Sequence, residues 1–175
     1  MKTSKFDELI VVGWREWVQI PELNLSSIKV KVDTGAKTSA LHAKNIEPFF
    51  EKGIQWVKFE VFPFQHDKEH QVKCIARVVD RRFVSDSGGH REKRYVIRSH
   101  LVLGKYILPC EITLTNRESM QFRMLLGREA LENRMLVDTG KSFLWGKPEL
   151  EVSKQSKGKS HHIHRHPHQP KGKFK

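Results

Sequence analysis

Apolar and polar residues alternate along most of the chain ahead of residue 146, and period-2 alternation predicts strands rather than helices. Candidate strands run Leu9 to Gln19, Ser27 to Val32, Trp56 to Phe64, Val72 to Val84, Arg94 to Leu103, Tyr106 to Thr115, Met120 to Leu125 and Arg134 to Leu144. Clusters of Gly, Pro, Asn, Asp and Ser separate many of them, as expected of a closed or partly closed β structure. Arg82 to Arg91 reads as a hairpin with its turn at Asp86 to Gly89. One short helix is expected, Arg128-Glu-Ala-Leu-Glu132, stopped near Asn133. Residues 44 to 55 read as connecting structure. The fold class that follows is all-β with a single short C-terminal helix.

Composition divides the chain in two. From Glu151 onward there are seven Lys/Arg and one acidic residue, five histidines and almost nothing apolar. Such a segment buries too little surface to offset its ordering entropy, so residues 151–175 are expected to be a disordered basic tail behind a domain spanning 1–150. The tail supplies half of the net charge of +12, which leaves a moderately basic body. The first residues, Met1-Lys-Thr-Ser-Lys-Phe-Asp-Glu, carry charge where a secretory signal needs an apolar run, and no apolar stretch approaches the ~20 residues of a membrane span. Cys74 and Cys110 sit singly in strand patterns and read as reduced core thiols. A cytoplasmic protein without membrane contact is the expectation.

Chemistry concentrates at Val30-Lys-Val-Asp-Thr-Gly-Ala36. The strand alternation over 28–32 delivers Asp33 to a strand end, where its carboxylate can hold or activate a water. The Thr34 hydroxyl can bond nearby backbone, Gly35 permits close approach or a positive φ, and Ala36 leaves room beside the carboxylate. An Asp-Thr-Gly is also an ordinary turn, and the tripeptide recurs at Asp138-Thr139-Gly140. The first copy stands out by its company. A Gly-tipped hairpin (Ser87, Gly88, Gly89) follows it, and then the apolar-Gly segment Leu125-Leu126-Gly127-Arg128 runs into the short helix.

In that order, the motifs resemble those of retropepsin-like aspartic peptidases. More closely, the chain resembles a bacterial retropepsin-like family often labelled "ATP-dependent zinc protease". The matching segments are Val32 to Ala43, Asp86 to Arg94 and Met124 to Leu131, within a resemblance that covers roughly residues 8 to 146. The resemblance implies a closed retropepsin-like β-barrel and an aspartic endopeptidase with Asp33, Thr34 and Gly35 at its catalytic centre. It implies a flap at Ser87, Gly88 and Gly89, with Ala36 and Arg91 beside substrate, and a structural or dimer-ordering role for Leu126, Gly127 and Arg128.

Two carboxylates sharing a proton across a water can act as general base and general acid together, because like charges about 3 Å apart titrate in separated steps. The second carboxylate comes either from Asp33 of an identical subunit, across a two-fold axis, or from Asp138 in a two-lobed monomer. A second lobe needs its own hairpin and apolar-Gly segment, and after Asp138 only Gly140 to Gly146 and the tail remain. A homodimer is therefore expected, with Asp138 structural. Arg91, Lys93 and Arg94 beside the hairpin turn read either as a solvated strand face or as positive charge over a cleft, which would favour an acidic peptide. Relatives by resemblance are associated with ligases that add glutamates to a small-subunit ribosomal protein, so a glutamate-rich tail is a reasonable substrate.

No cofactor is expected. The body has neither a His-Glu-x-x-His nor a phosphate-binding Gly-x-x-x-x-Gly-Lys loop. His42 stands alone, and His66 and His70 do not sit on a clear helix. The tail's His161, His162, His164, His166 and His168 can chelate divalent metal without forming a catalytic site. The non-enzymatic alternative is a β-barrel peptide- or RNA/ribosome-binding module, since a basic tail supplies salt-dependent phosphate affinity. Against it, the body's sequence lacks an interleaved aromatic and basic strand.

Overall fold

A computed structural model describes residues 9–65, 67, 69–85, 88–116 and 121–148. The strands are β1 (Ile10–Gly13), β2 (Arg15–Ile20), β3 (Leu25–Val32), β4 (Ser39–His42), β5 (Lys44–Glu51), β6 (Ile54–Val61), β7 (Val72–Ser85), β8 (Arg91–Leu103), β9 (Tyr106–Thr115), β10 (Met124–Leu126) and β11 (Met135–Asp138). The helix α1 (Arg128–Leu131) is one turn long and ends just ahead of Asn133, which takes the left-handed conformation (φ 59°).

Six strands close a barrel in the order β2-β3-β10-β4-β9-β8, sealed where Gln19 on β2 meets Val102 on β8. Beyond β8 the sheet continues outward through β7, β6 and β5. The alternation sets the faces. On β2 the inward positions are Glu16, Val18 and Ile20, and on β3 they are Ile28, Val30 and Val32, all buried. Leu41, Ile97, Ile112, Leu114, Met124 and Leu126 complete the interior. Each fully buried aliphatic side chain contributes about 1.5–3 kcal/mol.

Four sequence expectations need correction, the shortest being Met120 to Leu125, which is a strand only from Met124 because residues 121–123 bend. Leu9 to Gln19 is two strands, because the chain bends at Trp14: β1 leaves the barrel to pair in parallel with β11, and β2 enters it. The bend is packed tightly, and a Cβ on Gly13 would stand 2.5 Å from the Lys141 carbonyl oxygen. Residues 44–51, read as connecting structure, form β5, which pairs with β6 through a hairpin turned by Lys52 and Gly53, both at positive φ. The stretch Arg134 to Leu144 is a strand only as far as Asp138, after which turns carry the chain back over β2.

Cys74 and Cys110 are free and buried. Burial pushes the Cys74 thiol up to about 12 and raises that of Cys110. No helix among the described residues is long and apolar enough to cross a membrane. The tail lies outside the described residues.

Candidate active site

β10 is inserted between β3, to which it runs parallel, and β4, to which it runs antiparallel. This insertion brings the two motifs together. The Asp33 N–H donates to the Leu126 carbonyl (2.9 Å), the Arg128 N–H to the Ala36 carbonyl (2.9 Å), and the Glu129 N–H to the Lys37 carbonyl (3.1 Å). The Gly127 N–H donates to Ser39 Oγ (3.1 Å). Gly127 is needed for close approach, since a Cβ there would lie 2.5 Å from the Thr38 carbonyl carbon. Arg128 reaches back and donates from Nη1 to the carbonyls of Thr34 (2.9 Å) and Gly35 (3.0 Å). The loop from 33 to 38 is thus clasped along its length.

Within that loop Asp33 Oδ1 accepts the N–H groups of Gly35 (3.0 Å) and Ala36 (3.3 Å), while Oδ2 lies 3.8 Å from Lys31 Nζ. Its side chain remains 30% exposed. It opens into a cavity of about 580 Å³, whose other wall is the arm of the β7–β8 hairpin, Arg82 to Ser85, with Arg94. Among the described residues lining this cavity, Asp33 is the one carboxylate, whereas Lys37, Arg82, Arg94 and Arg128 are cations.

The predicted residues divide as follows. Asp33, Gly35, Ala36 and Arg128 line one cavity, and Gly127 sits behind them, buried with Leu126. Thr34 offers its carbonyl to Arg128. Gly89, at φ +79°, turns the hairpin beside Gly88, while Ser87 and Asp86 lie outside the described residues. Arg91 does not line the cavity, and its guanidinium lies 4.7 Å from the ring centroid of Phe83, which does. Arg94, by contrast, is 6% exposed, held by Glu92 (2.7 Å), and faces the cavity. Asp138 is exposed at the end of β11, does not line the cavity, and bonds its own Gly140 N–H (2.9 Å).

Sequence reasoning missed Arg82, Lys37 and Glu16. Arg82 bonds Asp80 and Glu111, and nothing in its alternating strand distinguishes it from Arg77 or Arg81. Glu16 did leave a signal, because it is a charge at an inward position of β2. It is fully buried and accepts the N–H groups of Gly13 (2.8 Å), Leu144 (3.0 Å) and Trp145 (3.4 Å). It thereby ties the C-terminal turns to the barrel. Among the described residues no group of three His, Cys, Asp or Glu is placed to hold a metal. His42 is buried on β4, and His70 bonds Asp67. His66 and the tail histidines lie outside the described residues.

Residues 11–148 match the family described as RimB-like, the retropepsin-like aspartic endopeptidase RimB. The chain belongs to this family. It is 48% identical over 147 residues to a probable alpha-L-glutamate ligase of Shewanella pealeana, covering 83% of this chain and 32% of that protein. It is 45% identical over 151 residues to a similarly named protein of Desulfotalea psychrophila, covering 86% and 32%. The chain therefore spans about a third of the length of these curated relatives. A crystal structure of a Legionella pneumophila protein of unknown function (DUF785) superposes with a TM-score of 0.64 at 28% identity, covering 77% of this chain and 97% of that one. The closed barrel with one short helix is the RimB-like form of the retropepsin-like fold.

Proposed function

We propose that the chain is an aspartic endopeptidase that works as a homodimer, each subunit contributing Asp33. The observation that carries this reading is the cavity wall itself. Among the described residues it holds one carboxylate, at the tip of a loop clasped by Leu126, Gly127 and Arg128, beneath a hairpin arm. A dyad completed by the second subunit's Asp33 keeps one carboxylate ionised to take a proton from water. The other stays protonated and polarises the scissile carbonyl. The proton released by the water then moves to the leaving amine as the carbon–nitrogen bond breaks. The backbone N–H groups of Gly35 and Ala36 hold Asp33 Oδ1 in place, so its rotamer is fixed before substrate arrives.

Charge supports an acidic substrate. Lys37, Arg82, Arg94 and Arg128 line the cavity, while the carboxylates that pair with three of them, Glu129, Asp80, Glu111 and Glu92, do not line it. The relatives' name, glutamate ligase, supports the same substrate class, a glutamate-rich tail such as one on a ribosomal protein. The ligase activity of those proteins would then reside outside the matched third. The basic tail would add contact with RNA or ribosome, and any metal its histidines bind would be apart from catalysis.

The test compares hydrolysis of a glutamate-tailed peptide by the natural chain, Asp33→Asn and Asp138→Asn. Loss in Asp33→Asn with retention in Asp138→Asn is expected, and full activity in Asp33→Asn overturns the proposal. Equal rates on a neutral peptide would sink the acidic-substrate part alone. Sedimentation with and without peptide reads the dimer.

A further inference from the structure

A second concavity shares no lining residue with the Asp33 cavity. It has a volume of about 210 Å³ and is lined by Trp17, Lys29, Pro63, Phe64, Gln65 and Arg123. Trp17 and Lys29 are cross-strand partners on β2 and β3, both on the outward face of the barrel. Lys29 Nζ lies 5.1 Å from the Trp17 ring centroid and Lys147 Nζ lies 5.0 Å from the same ring. The Phe143 ring stands 6.0 Å from that of Trp17, tilted by 32°. Arg15 continues the row, its guanidinium carbon 4.8 Å from Phe143 and 4.5 Å from Trp14. Segments remote in sequence thus assemble an interleaved array of rings and cations that no single strand displays.

Among the described residues no carboxylate forms an ion pair with Arg15, Lys29, Arg123 or Lys147, although Arg82, Arg94 and Arg98 elsewhere in the sheet all have one. Glu16, the nearest carboxylate in sequence, points inward and is used by three backbone N–H groups. Arg123 Nε is buried at the rim without a hydrogen-bond partner. Like charges held this close oppose one another, so an array of this kind is best stabilised by an incoming anion.

The walls decide which anion. An acidic peptide satisfies the charges but sets nothing against Trp17, Pro63 and Phe64. A nucleotide carries both parts, a flat base for the rings and a phosphate for the cations, and Gln65 offers an amide donor and acceptor to a base edge. The cations run on past the cavity lining to Lys147 and Arg15, spread around the Trp17 and Phe143 rings, which fits a strand with several phosphates.

We propose that this face binds single-stranded nucleic acid, with one base seated between Trp17 and Phe64 and the backbone tracking Lys29, Lys147 and Arg15. The site lies beyond the peptidase reading and does not depend on it.

Because the full chain also carries a basic tail that attracts any polyanion, the test must be local to this face. The full-length chain is irradiated with a short oligouridylate containing 5-iodouridine, and the adducts are mapped by mass spectrometry. Adducts at Trp17 or Phe64 are expected, together with oligomer binding weakened by about tenfold in Trp17→Leu. The double variant Lys29→Gln/Lys147→Gln, which alters exposed positions and leaves the core intact, should bind more weakly and with a shallower salt dependence. Peptide hydrolysis is measured on the same variants as a separate readout and is expected to be unchanged. Adducts confined to residues 151–175 overturn the proposal. So does unchanged oligomer affinity in both variants, or displacement of the oligomer from Trp17 by an equal concentration of a glutamate-rich peptide.

Discussion

Arg128 Nη1 donates to the Thr34 carbonyl at 2.9 Å across a sequence separation of 94 residues, and to Gly35 at 3.0 Å. The guanidinium holds the far side of the loop whose near side carries Asp33. Arg128→Ala should cost about 1 kcal/mol in stability and on the order of 100-fold in peptide hydrolysis, because a small displacement of a catalytic group is felt strongly. Arg128→Lys should recover stability better than rate, since a single ammonium does not reproduce the fork. Urea unfolding and single-turnover cleavage measure the two effects.

Gly127 has no room for a side chain. A methyl group there would meet the Thr38 carbonyl carbon at 2.5 Å and its oxygen at 2.7 Å. Gly127→Ala should therefore destabilise by about 1–3 kcal/mol, as overpacking does. An unchanged urea midpoint would show that the clasp is looser than its hydrogen bonds indicate.

Glu16 is a buried carboxylate that forms no ion pair among the described residues and is satisfied by three backbone N–H groups. Glu16→Ala strands those donors and should destabilise by about 3 kcal/mol. Glu16→Gln keeps one acceptor oxygen and should fall between. Hydrogen exchange at Leu144 and Trp145 should accelerate in both variants ahead of the barrel strands.

Glu22 links the turn after β2 to β8. Burial pushes its carboxyl up, but hydrogen bonds from His100, its own backbone N–H and Ser99 outweigh this and hold it at about 2. A carboxyl lowered on folding stabilises the protein fully above its unfolded value of 4.5, and the contribution is lost as pH falls toward 2. With half of its side chain exposed, the contribution is about 0.5–1 kcal/mol after solvent screening. Glu22→Gln should thus be less stable than the natural chain at pH 6, and the two should converge near pH 2 in denaturant titrations.

Arg94 is the buried cation of the cavity. Arg94→Gln should slow cleavage of a glutamate-tailed peptide by about tenfold, matching the loss of one charge-assisted hydrogen bond. It should affect a neutral peptide much less. An equal effect on both would assign Arg94 to the architecture of the hairpin rather than to substrate choice.

Much of the barrel was legible because its strands have one wet face. The alternation over 72–84 and 106–115 recovers β7 and β9 nearly to the residue, and that over 27–32 and 94–103 recovers β3 and β8 except for their first two or three residues. β4 was not legible for the opposite reason. Ser39-Ala-Leu-His is buried on both faces, so it shows no period. β5 hid behind Asn45, Pro48 and an exposed face, and was recognisable only through its partner β6. At the candidate site, Asp33 and Gly127 could be read from their motifs. Arg82 and Arg94 became distinct from neighbouring strand arginines only once the hairpin folded over the loop. The ring-and-cation face was invisible for a related reason, since Trp17, Lys29, Phe64 and Phe143 come together only in space.

The insertion of β10 between β3 and β4 has a kinetic meaning as well as a geometric one. The contacts that organise the Asp33 loop span 88 to 94 residues, so loop-closure entropy must be overcome before any of them forms. A chain emerging from synthesis carries Asp33 early and its clasp late. Until the last barrel strand arrives, none of these clasping bonds can form, so the proposed hydrolysis would be timed to the completion of the fold.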